Sequence, residues 1–429
     1  MQIEKAKVLN PFGGINLVLE EFEKMGLDVL LREHMPQLPA QCTYSWKDIF
    51  YSFCSIYLCG GEVIEDLGQN MKSFFKDVPY LKVPSPDRVL ARFKELAEPS
   101  FDCRVPRGKV EHEFSTNDAM SRFLISVHKL CMPKDATNVL DYDNTITYTE
   151  KQDARRTYKK EYGYVPGVAV MGSQVVYLEN RNGNSDPKTM QKETLERMFG
   201  LLGEQGIKVE AFRADSASWQ LEVVNTARKH VDRFYIAARG SQKIAEAIRD
   251  ISLWTLVEHN GKPAWRGEVV FTPFRSVKKP KDKGGLHPCR LIVTRKPRKD
   301  GQMDIFTQDA AEYLLLATND MDMASDDVVA FYHQRGAMEK EFDVLKNDFG
   351  WSKMPFSKLE QNTVFLILTA ACRNLYDHLI RLFAHKSKWL EPHYRVKKFI
   401  FRFISIPSKW VSKARRRVLK LFGDIGFEP

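Results

Sequence analysis

From Thr137 onward, short apolar runs alternate with helical stretches in an order that restricts how a sheet can be built. Asn138-Val139-Leu140-Asp141-Tyr142-Asp143 reads as a strand, as do Gly167 to Met171 and Gln174 to Leu178. A helix follows, roughly Pro187 to Gln205, then a strand from Lys208 to Ala214 that ends in Asp215. A short helix near Trp219 to Lys229 and a strand from Arg233 to Ala238 complete the run. Asp143 lies inside the first of these strands and Asp215 at the end of the fourth. Acids within apolar strands are costly unless a partner or a cation offsets their desolvation.

Three strands, a helix, a strand, a helix and a strand is the order of a ribonuclease-H-like core of mixed α/β class. In that order the first and fourth strands are neighbours, so Asp143, Asp215 and a Glu on a helix packed against the sheet can converge. Three carboxylates with few basic neighbours repel one another, and hard divalent cations relieve the repulsion. Two Mg²⁺ ions, or Mn²⁺ in their place, would activate an attacking oxygen and stabilise the leaving oxygen of a phosphodiester. Asp141 shares the strand face with Asp143 because side chains alternate. It is the alternative first ligand or a support behind it, and Asp143 is preferred.

The third acid is sought on the helix after Ser325, where Asp326 and Asp327 suit the positive end of the helix dipole. At about 100° per residue, Tyr332, Arg335, Glu339 and Lys346 fall within roughly 60° of one another. Phe331, Met338, Phe342, Leu345 and Phe349 form an apolar stripe beside them. Glu341 points away from the polar face, and Asp343 lies near it as a reserve. Taken alone, the helix reads better as a solvated amphipathic helix with an Arg335–Glu339 surface pair. The two strand aspartates shift the balance toward a site with Glu339 as the third acid.

Elsewhere the texture differs. Residues 1–130 read as helical, and Ser85 and Pro86 suit a helix start before Asp87. Short helices split by a tight turn there fit a helix-turn-helix DNA reader and fit ordinary helical packing equally. Residues 131–240 hold the first part of the core. Residues 241–310 read as a β-rich insertion, with the runs EVVFTPF, RLIVTRK and MDIF, a turn at Asp300-Gly301, and basic stretches from Lys278 to Lys283 and Arg295 to Lys299. Residues 311–380 return to the core, and 381–429 form a basic C-terminal region.

Net charge is +10, and its placement matters more than its size. From Arg381 onward thirteen Lys or Arg face three acids, so this tail carries the whole excess. Such a tail suits a polyanion, through release of condensed counterions, or is simply solvated. The seven cysteines are scattered without a CxxC pair, which points to reduced thiols in a cytoplasm and away from a zinc ribbon or disulfide framework. Neither a secretory signal nor a membrane span is expected.

The spacing Tyr332-x2-Arg335-x3-Glu339-x6-Lys346 resembles the Tyr-Arg-Glu-Lys motif of DDE transposases in insertion-sequence group four. With LDYDNT, YGYVPG (Tyr162 to Gly167), FRADSASW, KNDFGWSKMPF and GGEVIEDL (Gly60 to Leu67), the chain most resembles insertion-sequence group thirteen-eighty. The resemblance runs over nearly the whole chain. It implies Asp143, Asp215 and Glu339 as metal ligands and residues 1–130 as the element-end-binding part. It implies Arg335 and Lys346 on DNA phosphates, and Tyr332 positioning the backbone. The activity implied is cleavage at insertion-sequence ends in double-stranded DNA and transfer of the freed 3′-OH into target DNA, by a homodimer on DNA in a bacterial, nucleoid-associated setting. It also implies an insertion that supports a DNA hairpin, for which Trp254 and Trp265 are the aromatic candidates beside a plain packing role. His333 and His378 have no spacing that suggests a catalytic cluster. Two other readings share much of this: a ribonuclease-H-fold nuclease that cuts without joining, and a non-catalytic DNA-binding regulator of transposase descent.

Overall fold

The strand Val139–Asn144 (β3) is buried between neighbours on both sides, and the rest of the chain is arranged around that constraint. The computed structural model of the chain describes residues 9–104, 110–133, 136–274, 286–298, 301–303, 307, 309–413, 415–424 and 426. The basic stretch Lys278 to Lys283, Lys299, Asp300 and most of the MDIF run lie outside them.

Strands β1 (Phe101–Arg104), β2 (Glu111–Ser115), β4 (Gly167–Met171), β5 (Gln174–Arg181), β6 (Ala211–Ala214) and β7 (Arg233–Ala237) share one sheet with β3. So do β8 (Thr255–His259), β9 (Lys262–Phe271), β10 (Cys289–Pro297) and β11 (Ala311–Thr318). The sheet has 11 strands in the order β1-β2-β5-β4-β3-β6-β7-β11-β10-β9-β8. β3 pairs antiparallel with β4, parallel with β6, and β6 parallel with β7. Beyond β7 the pairing turns antiparallel, and β8 to β10 continue the same sheet as a meander. The result is a mixed α/β architecture built on one large mixed sheet.

Helices cover both faces; α1 (Ile15–Lys24) and α2 (Leu27–His34) open the chain, and α8 (Gln242–Arg249) shares an apolar cluster with Leu291 and Val293. Helices α6 (Gln191–Glu204) and α7 (Leu221–His230) bury Leu195, Met198, Val223 and Ala227 against Leu140, Phe212 and Phe234. On the other face lie α5 (Asp118–Cys131) and the 28-residue α11 (Leu359–Lys386), which buries Val364 to Leu368 against the N-terminal helices. Trp351 is fully buried there and donates its indole N–H to Thr369 Oγ1 at 2.9 Å. Such an amphipathic side chain tolerates full burial when its polar atom is satisfied. Among the described residues no helix is long and apolar enough to cross a membrane.

The N-terminal part departs from the sequence expectation in two ways. Helix α3 (Trp46–Leu58) has a Ser45–Asp48 capping box, and helix α4 (Pro86–Glu95) has Ser85 Oγ accepting from Arg88 N. Between them lie residues 59–85, with a π-helical turn at Leu67–Met71, and not a tight turn. Nearly all of α3 is buried, so it is a core helix with no face left for a groove. Residues 1–130 are also not wholly helical, because β1 and β2 form a hairpin that extends the sheet at Phe114↔Arg181. Strands this short carry too little period-two pattern to stand out within a helical stretch. The C-terminal region likewise contains a hairpin, Ser408–Lys413 (β12) with Arg416–Leu421 (β13).

Candidate active site

Parallel pairing of β3 with β6 sets Tyr142 opposite Ala214, so Asp143 and Asp215 are the next residues out of the same sheet edge. The Asp143 carboxylate accepts from Asn144 N at 2.8 Å and from Arg335 Nη1 at 2.9 Å. Asp215 Oδ1 accepts from Ala217 N at 2.9 Å, capping a short 3₁₀ turn. Its other oxygen has no hydrogen-bond partner among the described residues. Burial pushes the Asp143 carboxyl up from its ordinary value; Arg335 pulls it down and the neighbouring Asp215 charge adds to the rise. Burial works against the Arg335 cation, but Asp143, Tyr332 and Asp215 hold it well above the ordinary range.

The segment that carries Arg335 is not one continuous α-helix. Helix α9 (Ser325–His333) passes through a 3₁₀ turn at Gln334–Gly336 into α10 (Ala337–Asp348). Met338, Phe342, Leu345 and Phe349 are buried along the apolar stripe. Tyr332 Oη donates to the Ala214 carbonyl at 3.3 Å, and its ring lies 5.9 Å from the Arg335 guanidinium carbon. Lys346 Nζ donates to Thr145 Oγ1 at 2.6 Å, two residues beyond Asp143, and burial lowers its pKa. Tyr332, Arg335 and Lys346 are thus all held at the β3 and β6 edge.

Glu339 stands apart from them. Its carboxylate is exposed and has no hydrogen-bond or ion-pair partner among the described residues. It lines a cleft of about 640 Å³ with Glu341, Arg373, Tyr376 and Arg395. Asp143, Asp215 and Glu339 do not form a cluster with ligand oxygens mutually within 4.8 Å; among the described residues Glu113, Asp153 and Glu360 do. Two of those three acids serve structural bonds: Asp153 Oδ2 accepts from Leu359 N at 2.6 Å, and Glu113 accepts from Ser100 Oγ at 2.7 Å and Asn182 Nδ2 at 2.9 Å. Glu341 pairs with Arg373 at 2.9 Å and Asp343 with Arg395 at 2.6 Å, so both are engaged elsewhere.

Asp141 is nearly fully buried and gripped at both oxygens by Arg213, at 2.6 and 2.7 Å. A carboxylate held by a planar fork has little capacity left for a cation. Arg213 also donates to the Phe331 carbonyl at 2.6 Å, tying the last turn of α9 to the sheet. Sequence reasoning passed over this arginine. Its signal was present, because a charged residue inside the strand run before Asp215 needs a buried partner on the same face.

The donors at the sheet edge suit a hard divalent cation: carboxylate oxygens, one of them unpartnered, with burial disfavouring the Asp143 charge. Trp265 on β9 is 40% exposed, opposite Leu256 and Arg295, whereas Trp254 is partly buried against the apolar cluster that contains Ile251 and Leu291. The His333 ring lies 5.7 Å from that of His259, and His378 Nε2 lies 3.9 Å from Glu21.

A family model described as "Transposase DDE domain group 1" matches residues 9–426. No curated protein sequence matches. Among solved structures, the chain is similar to a piggyBac transposase synaptic complex with hairpin DNA, at 10% identity and a TM-score of 0.44, over 92% of this chain and 80% of that one. A Mos1 transposase paired-end complex with the left transposon end is similar at 11% identity and a TM-score of 0.19, over 50% of this chain and 76% of that one.

Proposed function

The chain belongs to the DDE-domain transposases of group 1, and from that premise we propose that it performs cut-and-paste transposition of an insertion sequence of group thirteen-eighty type. Cleavage at each element end frees a 3′-OH, which then attacks target DNA. The observation that carries this reading is the placement of Asp143 in β3 and Asp215 just past the end of its parallel neighbour β6, with Arg335 at 2.9 Å from Asp143.

Asp143 and Asp215 would hold Mg²⁺ with Glu339, on a core of ribonuclease-H-like order interrupted by residues 241–310. When bound, a pair of such ions supplies Lewis-acid activation of the attacking oxygen and stabilisation of the leaving one. The engagement of Asp141 by Arg213 favours Asp143 as the first ligand. Arg335 meets Asp143 through Nη1 alone while its Nε is buried with no partner among the described residues, and a phosphodiester offers this planar donor two acceptor oxygens. Arg335 therefore exchanges Asp143 for a backbone phosphate when DNA enters, which also frees an Asp143 oxygen. Lys346, close to Thr145, supplies a second phosphate contact, and Tyr332 orients the backbone between them. The unpartnered Glu339 carboxylate lies one helical turn beyond Arg335, on the segment that this exchange would move. Two ends are handled together, so the working form is a homodimer on DNA, with residues 1–130 engaging the element ends.

A strand-transfer assay with labelled element ends tests the reading. Cleavage followed by joining supports it. Cleavage without joining points to a nuclease, and end binding without either activity points to a regulator. Glu339→Gln is expected to abolish cleavage in Mg²⁺ while end binding stays within a few fold, and a variant that still cleaves removes Glu339 as third ligand.

A further inference from the structure

The C-terminal hairpin of β12 and β13 stands outside the large sheet, and its register sets like charges against each other. Lys409 lies opposite Lys420 and Lys413 opposite Arg416, with Val411 and Val418 between the two pairs. All six share one face, since side chains alternate along each strand. Like charges directly opposite on one face of a sheet are destabilising. None of the four cations has a hydrogen-bond or ion-pair partner among the described residues. Arg415, in the turn, has φ of 63°. That conformation is uncommon for a residue with a side chain and is inexpensive for glycine.

The opposite face is built differently. Trp410 donates its indole N–H to Asn16 Oδ1 at 3.0 Å, and Arg417 donates to the Asp77 carbonyl at 2.6 Å while lying 5.5 Å from the Trp410 ring. Asn10 and Ser408 exchange backbone hydrogen bonds of 3.0 and 2.7 Å. A Cβ on Gly13 would meet Ser408 Cβ at 2.9 Å. The hairpin is therefore fastened to the N-terminal part of the chain by one face, and the cations of the other have no ion-pair partner among the described residues.

We propose that the outer face of this hairpin, Lys409, Lys413, Arg416 and Lys420, binds the phosphate backbone of double-stranded DNA. A polyanion laid across the face turns the cross-strand repulsion into a shared attraction, and the valines between the pairs add no hydrogen-bond donor of their own. Binding there is independent of sequence and positions the duplex. The proposal rests on the reading of the chain as a DNA-processing enzyme.

The test measures how the affinity of the full chain for a short random-sequence duplex varies with salt. With all four residues changed to Gln, the slope of log affinity against log salt should fall by about 3 to 4, since each lost phosphate contact removes about 0.9. The Lys413→Gln/Arg416→Gln variant should lose about half of that, and since it removes one repulsive pair, its thermal midpoint should not fall. A slope unchanged in both variants, with duplex binding retained, overturns the hairpin assignment and leaves the catalytic reading untouched. Absence of duplex binding by the unmodified chain at low salt overturns both. Vesicles containing phosphatidylserine serve as the other arm: loss of vesicle binding in the variants, with the duplex slope unchanged, assigns the face to a membrane instead.

Discussion

Replacing Arg213 by methionine should destabilise the fold in a way that depends on pH. Asp141 and Arg213 are 4% and 6% exposed, and the pair is closed by bonds of 2.6 and 2.7 Å. Breaking a buried pair by removing one partner strands the other charge, at a cost of about 3–5 kcal/mol. Burial already raises the Asp141 carboxyl above its ordinary value, with Arg213 pulling the other way. The native chain therefore holds this proton more tightly than the unfolded chain. The associated stability is fully present below the ordinary carboxylate range and is lost as pH rises through the folded value. Without Arg213 the folded value moves further up, so the loss deepens toward neutral pH. Urea unfolding followed by tryptophan fluorescence should show the full deficit at about pH 7.5 and partial recovery at about pH 5.5. The Asp141→Leu/Arg213→Met double variant should lie within about 1.5 kcal/mol of the unmodified chain, because an apolar replacement leaves no stranded charge. A single variant that costs under about 1 kcal/mol, or the same at both pH values, would refute the argument from stranded charge.

The same pair ties α9 to the sheet, so Arg213→Met should also lower cleavage in single-turnover assays run where the protein is still folded; undiminished cleavage would show that the Phe331 tie does not position Arg335. Arg335→Ala should mainly weaken engagement of the cleaved end, and unchanged kinetics at limiting DNA would count against its phosphate role. Gly350→Ala should destabilise by more than about 1 kcal/mol, because Gly350 has φ of 76° and a Cβ there would lie 2.7 Å from the Tyr57 hydroxyl; an unchanged unfolding midpoint would contradict this.

The strand and helix order around Asp143 and Asp215 was legible because strands buried on both faces read as short continuous apolar runs, and because an acid inside such a run is conspicuous. The apolar stripe of Met338, Phe342, Leu345 and Phe349 was legible for the same kind of reason, at period 3.6. What periodicity could not carry was the 3₁₀ turn at Gln334–Gly336. Helical geometry puts Arg335 and Glu339 on a common face, but the turn between α9 and α10 changes the local twist. Arg335 meets Asp143, while the Glu339 carboxylate remains exposed. The short strands β1 and β2 were hidden by their length, and the extension of the sheet by β8 to β10 by the fact that strand runs do not state their partners.

By itself, then, the chain determined the residue types at the sheet edge, the basic character of its C-terminal region and the Tyr-Arg-Glu-Lys spacing, since these are properties of single positions and local periods. Only the tertiary structure decided which charges meet. Arg213 takes Asp141 and Arg335 takes Asp143, and the hairpin register sets Lys409 against Lys420. Those outcomes depend on strand register and on contacts between residues up to 192 positions apart. A one-residue change of register moves every side chain of a strand to the opposite face, and no local pattern specifies it alone.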